Sequence, residues 1–355
     1  MNRVKPRLVY FERWADDAAA ARVLATAPEI EVQRLRYNSS QAINDAAIAE
    51  AHGYQIQSRV ELDPLWLADA RLLERAPCLL AISSTGAGYD VVDVDACTRA
   101  GVIVVNQSGG NARAVAEHAV GMILSLSKRI SMSDNAVHRA AEVDRFAYTG
   151  NNVEGKTVGI LGIGNIGRIT AKICRNGFDM EVIAHDPHLP EAEIRARGAE
   201  PVSREALFAR SDFISVHCPR SEETFGSIGL AEFRSIKPTA FFVNTARGGI
   251  HDEAQLAEAL HSELIAGAGL DVFLHEPPAP DHPLLAFDNV IANPHIAGMS
   301  AESQTGISEY AASQWIEVLN GRCPPRLINP ECWPKYSERF ERIMGYAPSP
   351  LKSPK

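Results

Sequence analysis

The sequence predicts an α/β fold of two doubly wound domains, and three observations carry that expectation. Short apolar runs alternate with helical stretches almost throughout, the pattern left by parallel strands joined through crossover helices. The glycine-spaced segment GILGIGNIGR follows one apolar run directly and opens a helical one. The chain has 355 residues, 46% apolar and 22% charged, which is enough for two buried cores of ordinary globular composition.

RLVYF (7–11), IEVQRL (30–35), LLAISS (79–84) and VIVVN (102–106) read as strands. ADDAAAARVLATA (15–27) and VDVDACTRA (92–100) read as helices between them. After the polar break QSGG, residues 111–130 carry a long helical pattern that is apolar on most faces, which predicts burial. The polar stretch 131–153 shows no clear period. A second set starts at Lys156, with TVGILG, EVIAHD, FISVHC, AFFVNTA, AGAGLDVF and NVIANPH as its strands. Beyond Gly298 a helix over 302–320 precedes the proline-rich CPPRLINPECWP, and GYAPSPLKSPK (345–355) reads as a disordered tail.

A formal charge of −9 argues against nucleic acid and anionic membrane as partners, since both require a basic footprint. No apolar run reaches the length of a membrane span, and charges interrupt the N-terminus where a signal peptide needs its apolar stretch. The six cysteines (78, 97, 174, 218, 323 and 332) are scattered, which suggests neither a disulfide framework nor a zinc site. The expected location is the cytoplasm, and no metal is expected. His185 and His188 lack the acidic or thiol company a metal would want.

In the glycine segment, Gly162 permits a tight turn, Gly164 lets a pyrophosphate approach the backbone, and Gly167 allows close helix–strand packing. The helix that follows turns its N-terminal amides and positive dipole end toward the phosphates. Asp186, at the end of EVIAHD, is placed to accept hydrogen bonds from a ribose and to repel a 2′-phosphate, so NAD is expected over NADP. Three further residues stand at strand ends of the same domain: Arg247 after AFFVNTA, Glu276 after GLDVFLH and His295 after NVIANP. The carboxyl ends of strands line the ligand crevice of such sheets. A histidine there can exchange a proton with a carbonyl or alcohol oxygen. A carboxylate bonded to its ring fixes the tautomer, and a guanidinium offers two parallel donors to a substrate carboxylate.

GILGIGNIGR, NTARGGIHDEAQLAEAL, AGLDVFLHEP and NPHIAG, in this order, resemble the D-isomer-specific 2-hydroxyacid dehydrogenase family, and STGAGYDVVD and NARAVAEHAVGMILSL extend the match over residues 50–325. The resemblance implies a Rossmann NAD-binding domain (108–298) inserted into a flavodoxin-like substrate domain (1–107 with 299–335), a C-terminal tail (336–355), and homodimerisation through 111–153. It places Arg247, Glu276 and His295 at the family's catalytic positions. It assigns the substrate carboxylate to backbone amides near Gly86, Ala87 and Gly88, a glycine-rich anion nest, and puts Asn106 nearby at the domain junction. Cofactor contacts are implied for Asn165, Ile166, Cys218, Pro219, Thr245, Ala246 and Asp271, beside the glycines and Asp186. The implied activity is NAD-dependent interconversion of a 2-oxoacid and a D-2-hydroxyacid, with hydroxypyruvate or glyoxylate as the expected oxoacid.

The match has departures. Phosphoglycerate-using members carry arginines where this chain has Gln57 and Ser84, with only Arg59 nearby, and a phosphate dianion without clustered arginines is poorly held. The chain also leaves no room for the regulatory domain of many such enzymes. Met299 replaces a small polar residue and suggests a less polar pocket. Arg220 replaces a leucine and is expected to face solvent, while His118 and His217 read as structural. Glu276 stands where formate dehydrogenases of the family have glutamine. The alternatives are a D-3-phosphoglycerate dehydrogenase and a non-catalytic NAD(H)-sensing, corepressor-like binding protein.

Overall fold

The structure, a computed structural model, describes residues 4–59, 61–139 and 142–351. The chain forms two compact units, Met1–Asn111 with Ser300–Lys355, and Ala112–Met299. Both junctions fall slightly later than the sequence expectation.

The first unit begins with β1 (Arg7–Phe11), α1 (Asp17–Leu24), β2 (Glu31–Leu35), α2 (Gln41–Ala49), β3 (Gly53–Ile56), α3 (Ala70–Arg75), β4 (Ala81–Ser84), α4 (Val94–Ala100) and β5 (Ile103–Val105). All its strand pairs are parallel, in the order β2-β1-β3-β4-β5, which is the flavodoxin-like doubly wound order. Local chemistry sets the helix ends. Asp16 accepts from Ala19 N–H to start α1, Asp93 accepts from Ala96 N–H to start α4, and Gly101 ends α4 in the left-handed region at φ +74°. β3 escapes the sequence reading because its four residues, GYQI, include a glycine and a glutamine although all are buried. Gln55 Oε1 accepts the Trp315 indole N–H at 2.9 Å, so the polar side chain is satisfied inside the core.

The second unit comprises α5 (Ala112–Ser127), α6 (Ile130–Arg139), β6 (Thr157–Leu161), α7 (Asn165–Phe178), β7 (Glu181–His185), α8 (Glu191–Ala196), β8 (Glu200–Pro201), α9 (Arg204–Arg210), β9 (Phe213–Val216), α10 (Leu230–Ser235), β10 (Phe241–Asn244), α11 (Glu253–His261), β11 (Gly267–Leu270) and β12 (Val290–Ala292). Its parallel sheet runs β12-β11-β10-β9-β6-β7-β8, the Rossmann order with one added strand. Residues of α5 and α7 pack with Val158, Ile160 and Val243 on one face. Residues of α9, α10 and α11 pack with Ile214, Val216 and Phe242 on the other. The single helix expected over 111–130 ends near Arg129, which adopts φ +56°. α6 then occupies sequence that shows no period, because none of its residues is buried and no apolar stripe is needed.

The first unit resumes with α12 (Ala301–Leu319) and α13 (Trp333–Met344). The expected tail over 336–355 is corrected by α13, whose Trp333, Tyr336, Phe340 and Met344 are buried along one helical face in the core with Trp315. Residues 345–351 also belong to the fold. Tyr346 packs edge-on against Phe340 with ring centroids 5.2 Å apart, and Ser349 N–H donates to the Gly321 carbonyl at 2.7 Å. Residues 352–355 of the expected disordered tail lie outside the described residues. Arg339 ties the helix down by donating to the carbonyls of Leu79 (2.7 Å) and Pro77 (2.8 Å) in the segment after α3 and of Ala100 (3.3 Å) at the end of α4.

Candidate active site

The loop after β6 is built by three glycines with three different constraints. Gly162 sits at φ +88°, and a Cβ there would come 2.8 Å from the Cys218 amide nitrogen. A Cβ on Gly167 would overlap the Gly162 carbonyl, so α7 lies directly against the turn. Gly164 has open space around its Cβ position and caps α7 without a side-chain hydrogen bond, which leaves the helix start accessible to an anion. Asn165 and Ile166 form the first turn of α7. Asp186 follows β7 and braces the loop, accepting from Ile163 N–H (3.1 Å) and His188 N–H (3.1 Å). Arg197 donates to the Ile163 carbonyl at 2.8 Å, and His185 Nδ1 lies 3.1 Å from the Val202 carbonyl. Among the described residues no cluster of three potential metal ligands occurs.

Burial pushes the Cys218 thiol up to about 11, so this wall of the loop is neutral. Pro219 beside it is exposed. Thr245 and Ala246 are buried past the end of β10, and Thr245 Oγ1 has no hydrogen-bond partner. Open backbone at Gly164, an uncapped helix start and an unpartnered buried hydroxyl together fit a dinucleotide.

Arg247 is positioned by Asn244, the last residue of β10. The fully buried Asn244 amide donates to the Arg247 carbonyl (3.0 Å) and to His251 Nδ1 (3.0 Å), while its oxygen accepts from Ala246 N–H (2.9 Å). Sequence reasoning missed Asn244; the only signal was its place immediately before TARGG. Gly248 and Gly249 follow, and a Cβ on Gly248 would overlap the Phe273 carbonyl. That glycine therefore permits two loops to touch. Arg220 differs from the solvent-facing expectation: it is half-buried and donates to the Gly248 carbonyl at 3.3 Å.

His295 and Glu276 meet through Nδ1 and Oε2 at 2.8 Å. The other carboxylate oxygen of Glu276 accepts from Phe273 N–H at 3.0 Å. Burial would raise the Glu276 carboxyl, but the hydrogen bond and charge of His295, with smaller contributions from the Phe273 amide and Arg247, outweigh it and hold the group below its ordinary value. His295 occupies the left-handed region at φ +58°, which is uncommon for a residue other than glycine. Asp271, expected at the cofactor, is 1% exposed and engaged beneath this turn. Its oxygens accept from Ile296 N–H and Ala297 N–H, both at 2.8 Å, and its carbonyl accepts from His295 N–H at 2.8 Å. His118, on α5, lies 3.0 Å from Asn293 Oδ1 and 3.8 Å from Asp271 Oδ1.

In the other unit, the Gly86–Gly88 loop follows β4. Gly86 N–H donates to Gln107 Oε1 at 2.8 Å, so that amide is engaged within its own unit. The Ala87 carbonyl accepts from Asn106 Nδ2 (2.7 Å) and the Gly88 carbonyl from Ser84 Oγ (2.6 Å), so Asn106 shapes the loop. Buried Gln57 accepts from Tyr37 Oη at 2.7 Å.

Residues 120–297 match the family model described as D-isomer specific 2-hydroxyacid dehydrogenase, NAD binding domain. The chain is 38% identical to the glyoxylate reductase of Thermofilum pendens over 268 residues, 74% of this chain and 78% of that protein. It is 39% identical to the D-3-phosphoglycerate dehydrogenase of Archaeoglobus fulgidus over 253 residues, 71% of this chain but about half (48%) of that longer protein. Among solved structures, a glyoxylate reductase from Paecilomyes thermophila superposes with a TM-score of 0.80 at 25% identity, covering 92% of this chain and 99% of that one. With the loop, the paired histidine and glutamate, and these relatives in view, the chain belongs to the D-isomer-specific 2-hydroxyacid dehydrogenase family.

Proposed function

We propose that the protein is an NAD-dependent oxidoreductase that interconverts a small 2-oxoacid, of the glyoxylate or hydroxypyruvate type, and its D-2-hydroxyacid. The observation that carries this reading is the 2.8 Å pair of His295 Nδ1 and Glu276 Oε2. Glu276, held ionised, accepts from Nδ1–H and so leaves Nε2 of His295 as the atom that exchanges a proton with the substrate oxygen. Arg247 takes the substrate carboxylate as a paired donor. Asn244 fixes the loop that carries Arg247, and Asp271 fixes the turn that carries His295. Gly164 and the first turn of α7 hold the pyrophosphate, and Asp186 holds the ribose. When bound, NAD supplies the nicotinamide ring that takes up or gives back the two electrons of the reaction.

The hydrogen bonds of Gln57 and Ser84 within their own unit disfavour a phosphorylated substrate, since neither supplies the positive charge a phosphate needs. The exposed apolar residues Ile130 (54%), Val137 (66%) and Phe146 (72%), on and after a helix with no buried residue, support homodimerisation through the 111–153 region. Six free cysteines suit a reducing, cytoplasmic setting. The test is a panel of 2-oxoacids, with 3-phosphoglycerate as a separate arm, assayed with NAD(H) and NADP(H). Glyoxylate or hydroxypyruvate reduction with NADH is expected. Turnover confined to phosphoglycerate, or a strong NADPH preference, overturns the substrate or the Asp186 reading respectively.

A further inference from the structure

The loop after β11 is gripped by two histidine–glutamate pairs, and the second stands outside the proton-transfer site. Glu276 accepts from Phe273 N–H at 3.0 Å and meets His295 Nδ1 at 2.8 Å. Glu253, the first residue of α11, accepts from the next amide, Leu274 N–H, at 2.6 Å and meets His282 Nε2 at 3.0 Å. Consecutive N–H groups are thus each held by a carboxylate that is itself backed by an imidazole. At the same place the Phe273 carbonyl lies against Gly248, where a Cβ would overlap it. The Phe273 ring meets the His282 ring edge-on, with centroids 5.5 Å apart.

Donor and acceptor roles in this second pair are fixed by its surroundings. His282 precedes the helical turn Pro283–Ala286, and its Nδ1 accepts from Leu284 N–H at 3.3 Å, so its ring hydrogen sits on Nε2 and is donated to Glu253 Oε2. Glu253 then accepts twice, once through each oxygen, which a carboxylate does and a carboxamide cannot. The start of α11 does not need this side chain, because Asp252 caps the helix by accepting from Gln255 N–H at 2.9 Å. The side chains of Glu253 and His282 are only 16% and 19% exposed, so water competes little for their hydrogen bonds. α11 continues from the loop that carries Arg247, and Glu253 binds that segment to the loop that carries Glu276.

We propose that Glu253, oriented by His282, is a positioning residue for the reaction: it fixes the Phe273–Leu274 peptide and, through it, the angle at which Glu276 meets His295. This role rests on the reading of Glu276 and His295 as the proton-transfer pair. Glu253→Gln keeps the shape but offers one acceptor to two donors. In oxoacid reduction with NADH it should lower kcat about tenfold, with KM and NADH affinity within about twofold of native. The decisive comparison places the same substitution in a Glu276→Gln background, where the residue to be aimed has already lost its charge. There kcat should change by less than about twofold. Native kcat in folded Glu253→Gln overturns the proposal. A loss of about tenfold that recurs undiminished beside Glu276→Gln shows a merely structural role and overturns it as well. His282→Phe removes the donor while keeping a ring against Phe273, and it carries the same comparison where Glu253→Gln does not fold. A native chain that reduces no oxoacid with NADH overturns the proton-transfer reading and this role together.

Discussion

His295 stands in a backbone conformation that few side chains adopt, and two acids keep it there by different means. Glu276 grips the ring, and Asp271 grips the peptide groups that follow. Removing the charge on Glu276 while keeping its shape, Glu276→Gln, takes away the anionic acceptor that orients the His295 ring. The kcat of oxoacid reduction should then fall by about tenfold or more with NADH binding unchanged. An unchanged kcat would detach Glu276 from proton transfer. Because its carboxyl is held below the ordinary value, Glu276 stabilises the fold above about pH 4.3, the unfolded carboxyl value. That contribution disappears as pH drops through the lowered native value. At this scale the sequence was readable where chemistry repeats in motifs: Arg247, Glu276 and His295 stand out by residue type at strand ends. What was hidden depended on hydrogen-bond direction. Nothing in AGLDVF tells that Asp271 faces the 296–297 amides, or that Gly86 donates to Gln107, because partners distant in sequence decide both.

Elements explain why several small residues sit where they do. The β10–α11 loop and the loop after β11 touch at Gly248 and Phe273, and the contact carries Arg247 on one side and Glu276 on the other. Gly248→Ala forces these loops apart and should cost about 2–4 kcal/mol, measured by urea unfolding. It should lower kcat/KM beyond what the stability loss accounts for; native stability in this variant would show that the loops are not in close contact. α13 offers a second case. Arg339 satisfies carbonyls of four residues, Ala76, Pro77, Leu79 and Ala100, so Arg339→Met should destabilise the chain by about 2 kcal/mol or more, read from the shift in thermal midpoint. The β-strands with continuous apolar runs were legible in sequence. β3, α6 and α13 were not, for separate physical reasons. β3 buries a satisfied glutamine, α6 buries nothing, and α13 begins at Trp333 and Pro334 inside a proline-rich stretch, where a proline is tolerated in a first helical turn.

Across the whole molecule, both parallel sheets follow from the alternation of apolar and helical segments, while the unit boundaries follow from packing that no local pattern records. His217 and His251 are both depressed to about 4 by burial. Each is neutral when folded and titrates near pH 6.5 when unfolded, so stability is full above about 6.5 and declines as pH falls toward about 4. The urea midpoint should drop over that window, with a shallower slope in His251→Asn. Val137→Asp on the exposed face of α6 should shift the sedimentation coefficient from dimer to monomer, and a native chain already monomeric would refute dimerisation through this region. The central claim is that His295 carries the proton in an NAD-dependent 2-oxoacid reduction. Its most direct test is the steady-state rate of NADH-dependent glyoxylate and hydroxypyruvate reduction by the native chain and by His295→Ala. The account predicts a loss in kcat of about 10²–10⁴-fold with NADH binding unchanged, and reduction by His295→Ala at the native rate would contradict it.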